Sequence, residues 1–133
     1  MKALQSAIYT KVLTGSNTLK TAINSRFYFS LAPQDTAFPY ATYDIIVSTY
    51  DNKFAEDFET VSVQFNIFSQ DTSSSEAGDI YGYLIALFDW CSLTITGYSL
   101  VEMRRVFETI DYFMEDRVWM YTVEYRVWIR KTS

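Results

Sequence analysis

Apolar residues in this chain follow two rhythms. Over residues 2–14, Leu4, Ala7, Ile8, Val12 and Leu13 recur at helical spacing and form one face. Gly15 follows as the left-handed residue that commonly ends a helix. A second helical rhythm, Ala77, Ile80, Leu84, Leu87 and Phe88, starts behind Ser73, Ser74 and Ser75 and predicts a serine-capped helix to about Trp90. Glu76 and Asp79 suit its positive start. Gly82 inside it lowers helix propensity and reads as a place for close packing.

The other rhythm alternates. Ala41, Tyr43, Ile45 and Val47 oppose Thr42, Asp44 and Ser48 over 40–50. Val61, Val63, Phe65 and Ile67 alternate with Ser62, Gln64 and Asn66 over 58–69. The polar segment 51–57 joins these two runs as a long hairpin loop. Residues 98–110 alternate less cleanly, because Arg104 and Arg105 are adjacent, and 112–116 reads as a turn. The clearest strand is 118–130, with Tyr121, Val123, Tyr125, Val127 and Ile129 against Thr122, Glu124, Arg126, Trp128 and Arg130. Residues 26–29 read as a short strand, 93–95 as a short strand or connector, and 16–26 as a loop with a possible helical turn. Pro33 and Pro39 bracket an irregular stretch. Helix, strand pair, helix, strand pair predicts an α+β fold: a mainly antiparallel (mixed) sheet of about four to five strands, with two helices packed on one face. At 133 residues this is one domain, 1–133.

Composition narrows the chemistry. The chain has no histidine, so His-based nucleophile systems and His-ligated metal or haem sites are excluded. A lone Cys91 makes no intramolecular disulfide or thiolate cluster; it reads as a buried, inert thiol. Neither a signal peptide nor a membrane span is expected, and the single cysteine suits a protein made in the cytosol. Neighbouring acids (Glu56 with Asp57, Asp57 with Glu59, Glu115 with Asp116) sit at turns, where solubility explains them without catalysis. The four glycines are dispersed, so no phosphate-cradling loop exists. Catalytic, metal-binding and cofactor-binding residues are therefore expected to be none.

Charge is segregated. Residues 1–34 carry Lys2, Lys11, Lys20 and Arg26 without an acid, a balance of +4. Residues 35–89 carry ten acids against Lys53, a balance of −9, and residues 90–133 balance to 0. The net −5 disfavours a protein that binds by neutralising phosphates. The separated charges suit one surface meeting a different surface on a neighbour. Trp128, Phe68 and Ile46 lie on the polar faces of their strands, which predicts a second sheet face covered by an oligomer or partner. Candidate interface residues are Phe54, Glu56, Asp57 and Phe58 around the acidic loop, with Phe68, Arg104, Arg105, Arg126, Trp128 and Arg130 on the strands. Arg104 and Arg105 read first as members of a cross-strand salt-bridge ladder with the nearby acids, and second as partner or phosphate contacts.

Nearly the whole chain resembles the tail-completion, or tail-terminator, proteins of long-tailed bacteriophages. The resemblance rests on the amino-terminal helix, Leu31-Ala32-Pro33-Gln34 leading to Phe38-Pro39-Tyr40-Ala41-Thr42-Tyr43, the strand Val61–Phe68, the serine-capped helix, and the ending Tyr125-Arg126-Val127-Trp128-Ile129-Arg130. Segment 111–117 departs from it by lacking a glycine-bearing turn. The resemblance implies a structural virion protein, made in the host cytoplasm and located at the head-proximal end of the tail. There it would form a homo-oligomeric ring, usually a hexamer, which ends tail-tube polymerisation and offers the head-joining surface. Implied partners are other copies of itself, the tail tube protein and the head-completion or connector protein. DNA would pass through the ring without specific binding, and no membrane is involved. The length of the 50–58 loop and its Phe54–Asp57 composition give the further expectation that it contacts the tail tube or lines the lumen. Competing readings are a head-side neck protein of the same virion, a small enzyme using carboxylates alone, which the empty motif search disfavours, and a cytosolic, non-enzymatic α+β module that binds a small ligand or peptide.

Overall fold

The computed structural model describes residues 2–51 and 58–132, with 47–51 given by their backbone alone. The order is α1 (Lys2–Leu13), α2 (Thr18–Ala22), β1 (Phe27–Phe29), β2 (Tyr40–Asp51), β3 (Phe58–Ser69), α3 (Ser75–Phe88), β4 (Thr94–Ile95), β5 (Tyr98–Phe113) and β6 (Val118–Lys131).

Both expected long helices form, and Gly15 ends α1 with φ +79°. The possible turn at 16–26 is a third helix, α2, set by Asn17. The Asn17 side chain accepts from the Lys20 amide at 2.7 Å, and its Nδ2 donates to the Val12 carbonyl at 2.9 Å. At α3, Ser74 is the N-cap residue without a side-chain cap bond. Ser69 instead donates to Glu76 at 2.6 Å, tying the helix start to the end of β3.

Among the described residues the sheet has six strands, in the order β1-β2-β3-β6-β5-β4, where four to five were expected. The count rises because the short segments at 26–29 and 93–95 both join the sheet, as β1 and β4. β1 runs parallel to β2; all other pairings are antiparallel. β3 and β6 join the two hairpins at the centre, Phe58 facing Arg130 and Ser69 facing Trp119.

Among the described residues the helices cover one face only. Leu4, Ile8 and Val12 of α1 and Ile80, Leu84 and Phe88 of α3 pack with Tyr43, Val61, Val63, Phe65, Ile67, Val123, Tyr125, Val127 and Ile129. Phe27 stacks on Tyr43 at 4.7 Å, and Phe65 meets Phe88 at 4.8 Å. Among the described residues the aromatic core is thus Phe27, Tyr43, Phe65, Phe88 and Tyr125.

β5 differs most from its sequence pattern. It runs to Phe113, so the turn is Met114–Arg117 and not 112–116. The register slips between Leu100 and Glu102 and again between Arg105 and Phe107. Each slip inserts a valine, Val101 or Val106, that opposes no single residue of β6. A third slip, between Ile45 and Ser48 of β2, leaves Ile46 half exposed.

Candidate interaction surface

The uncovered face of the central strands gathers half of the expected interface residues at one end. Phe58 faces Arg130, Thr60 faces Trp128, and Ser62 faces Arg126 across β3 and β6. On the other side of β6, Glu102 faces Trp128 and Arg104 faces Arg126. The Phe58 and Trp128 rings lie 5.3 Å apart, and the Arg130 guanidinium stands 5.8 Å over Phe58. Trp128 remains 38% exposed.

Two like charges, Arg104 and Arg126, therefore oppose each other directly, an arrangement that costs stability in a sheet. Arg104 pairs loosely with Glu102 at 3.8 Å, and Arg126 has no carboxylate in ion-pair range among the described residues. Between them lies a notch of about 230 Å³ lined by Thr60, Glu102, Arg104, Arg126 and Trp128. It combines two guanidinium groups against the single Glu102 carboxylate, with a hydroxyl and an indole face, a composition suited to one further carboxylate beside an apolar group.

The remaining candidates are elsewhere. Phe68 sits at the far end of β3, facing Met120 and stacked on Tyr40 at 4.8 Å. Phe54, Glu56 and Asp57 lie outside the described residues. Arg105 is not on this face. The first bulge in β5 turns it toward the helices, where it pairs with Asp89 at 3.3 Å, with Glu108 at 3.5 Å, and with the Tyr81 hydroxyl. The expected cross-strand ladder is thus corrected: the ion pairs of Arg104 and Arg105 run along β5 and to the end of α3.

That network fixes α3. Tyr125, fully buried, donates to Asp89 at 2.6 Å. Burial first, then the bond to Asp89 and its negative charge, raise the Tyr125 hydroxyl far above its ordinary pKa. Cys91 is half-buried rather than buried, with its Sγ 3.6 Å from the Met103 sulfur. Burial pushes its thiol up, away from the reactive thiolate. Among the described residues no group of three or more His, Cys, Asp or Glu is placed to hold a metal.

A feature absent from the candidate set is the far end of the β5–β6 hairpin. Val106, Phe107, Ile110, Tyr112, Phe113 and Met114 are all exposed large apolar residues, Met114 by 80%. The run Tyr112-Phe113-Met114 was the available sequence signal, obscured because it read as a turn.

The sequence from residue 7 to residue 130 matches the family described as tail completion protein gp17. The chain belongs to this family. It is accordingly a structural tail protein of a phage-like virion, in a family of structural proteins and not of enzymes. A chain from the virion of a native gene transfer agent particle shares this fold. The TM-score is 0.82 at 14% identity, covering 97% of this chain and 96% of that one. A second solved structure, which carries no functional name, has a TM-score of 0.63 at 12% identity, covering 99% and 95%. No functionally curated protein matches the sequence.

Proposed function

We propose that this tail completion family member forms a homo-oligomeric ring on the head-proximal end of the tail tube. The ring ends tube polymerisation and presents the surface that joins the head-completion or connector protein. The observation that carries this reading is the bare sheet face, where Phe58, Trp128 and Arg126 sit uncovered by any helix. An aromatic and arginine cluster of this kind is the composition of a protein interface core.

Two further features support it. Arginines on the open face and acids at the hairpin tip form two unlike patches, as a head-to-tail interface requires. The net charge of −5 suits a ring through which DNA passes without adhering.

The test is tail assembly with the gene deleted, followed by addition of purified protein. Without the protein, tubes are expected to vary in length and to lack heads; addition restores uniform, head-bearing tails. Tubes of normal length carrying heads in its absence would overturn the proposal.

A further inference from the structure

The notch and the hairpin tip are complementary, and no single copy can bring them together. From Arg126 to Val118 is eight residues of β6, roughly 27 Å of extended strand. We propose that the Met114-Glu115-Asp116 tip of one copy inserts into the notch lined by Thr60, Glu102, Arg104, Arg126 and Trp128 on the next. This contact rests on the ring reading above and names the segments that would join neighbouring subunits.

Chemistry selects this occupant. The tip presents Met114, 80% exposed, followed by two exposed carboxylates with no ion pair among the described residues. A flexible thioether packs well against aromatic rings, here Trp128 with Phe58 behind it. The carboxylates of Glu115 and Asp116 meet Arg104 and Arg126, whose mutual repulsion is relieved when anions sit between them. Arginine forks bind carboxylates in pairs, so the contact supplies direction as well as attraction. The tip is held in shape for docking: Gln70 donates to the Asp116 carbonyl at 3.2 Å, and Arg117 closes the turn at φ +55°. Tip and notch are different surfaces, so each copy uses its tip on one neighbour and its notch on the other.

The alternative occupant of two arginines beside an indole is a nucleic acid. The acidic character of the whole chain disfavours it, and the experiment separates the two.

Full-length chains are compared by sedimentation equilibrium and circular dichroism. R104E/R126E and E115R/D116R are each expected to keep the native spectrum and to self-associate roughly a hundredfold more weakly than wild type. Mixed in equal amounts they are expected to regain wild-type assembly, because each reversed patch then meets its reversed partner. Wild-type assembly by either variant alone, or no recovery on mixing, would overturn the contact. A trapping arm covers weak association: Met114→Cys with Thr60→Cys, in a Cys91→Ser background, should give a ladder of disulfide-linked multimers on mild oxidation. Monomers alone at the highest soluble concentration would count against the contact. So would duplex DNA binding that R104E/R126E abolishes while the trap yields no ladder. Failure of the ring reading looks different: trapped multimers would form, yet purified protein would not restore tail length. Failure of this contact alone would leave tail capping intact in both reversal variants.

Discussion

At the scale of single residues, two buried phenols connect packing to pH. Tyr125 is fully buried and donates a hydrogen bond to Asp89, which Arg105 also holds. Tyr125→Phe removes the donor and leaves the ring, so unfolding in urea should show a loss of about 1–3 kcal/mol. An unchanged midpoint would mean that Arg105 alone satisfies Asp89. Tyr43 is buried and donates to the Gln5 carbonyl at 2.9 Å, tying β2 to α1. Burial, aided by nearby Tyr9, pushes its pKa from an ordinary 10.0 up to about 12. The folded state therefore favours the neutral phenol. That contribution is complete below the ordinary value and is lost as pH rises through about 12. Tyr125 acts in the same direction. Thermal unfolding followed from neutral pH to pH 12 should show Tm falling above about 10, with a shallower fall in Tyr43→Phe. A Tm that held or rose above that pH would contradict the burial of both phenols.

At the scale of elements, the sequence was most legible where one rhythm governs the whole segment. β3 was expected over 58–69 and occupies Phe58–Ser69, because its odd positions face the core without interruption. α1 and α3 followed from their apolar stripes for the same reason. β5 was read less well because its two bulges shift the phase: Arg104 and Arg105 lie on opposite faces as any strand neighbours do, but the first bulge decides that Arg105 is the one facing the helices. A strict period of two has no room for an inserted residue. The interaction surface was half legible for that reason. Trp128 and Arg126 stand out on a regular strand, whereas Arg105 and the tip residues depend on where the bulges and the turn fall. Gly82 of α3 shows the converse error. It read as a close-packing glycine, but a methyl group there meets no atom within 4 Å, and its φ is not positive. Gly82→Ala should therefore stabilise the protein by about 0.5–1 kcal/mol, through helix propensity and unfolded-chain entropy alone. Chemical denaturation decides it; a loss of stability would require a neighbour that the packing lacks.

At the scale of the whole molecule, the sheet has one face that folding needs and one that it does not. Phe65 and Trp128 compare the two directly, as aromatic residues on neighbouring central strands. Phe65 is fully buried and packs against Phe27, Tyr43, Phe88 and Tyr125. Its replacement by alanine leaves a cavity and should cost about 3–5 kcal/mol of folding stability. Trp128 is 38% exposed, and its ring contact is with Phe58. Trp128→Ala leaves little cavity, so the monomer should lose no more than about 1 kcal/mol. Covered by a neighbouring copy, the same indole lies at the centre of an interface, where truncating a tryptophan costs about 2 kcal/mol or more, some thirtyfold in affinity. The two variants should thus separate by assay. Trp128→Ala should keep its unfolding midpoint within a few degrees and lose assembly in light scattering, whereas Phe65→Ala should lose its midpoint first. If Trp128→Ala assembled as well as wild type while folding normally, the open face would have no part in subunit contact. The surface to test next would then be the free edge of β5, where Val106, Phe107 and Ile110 are exposed.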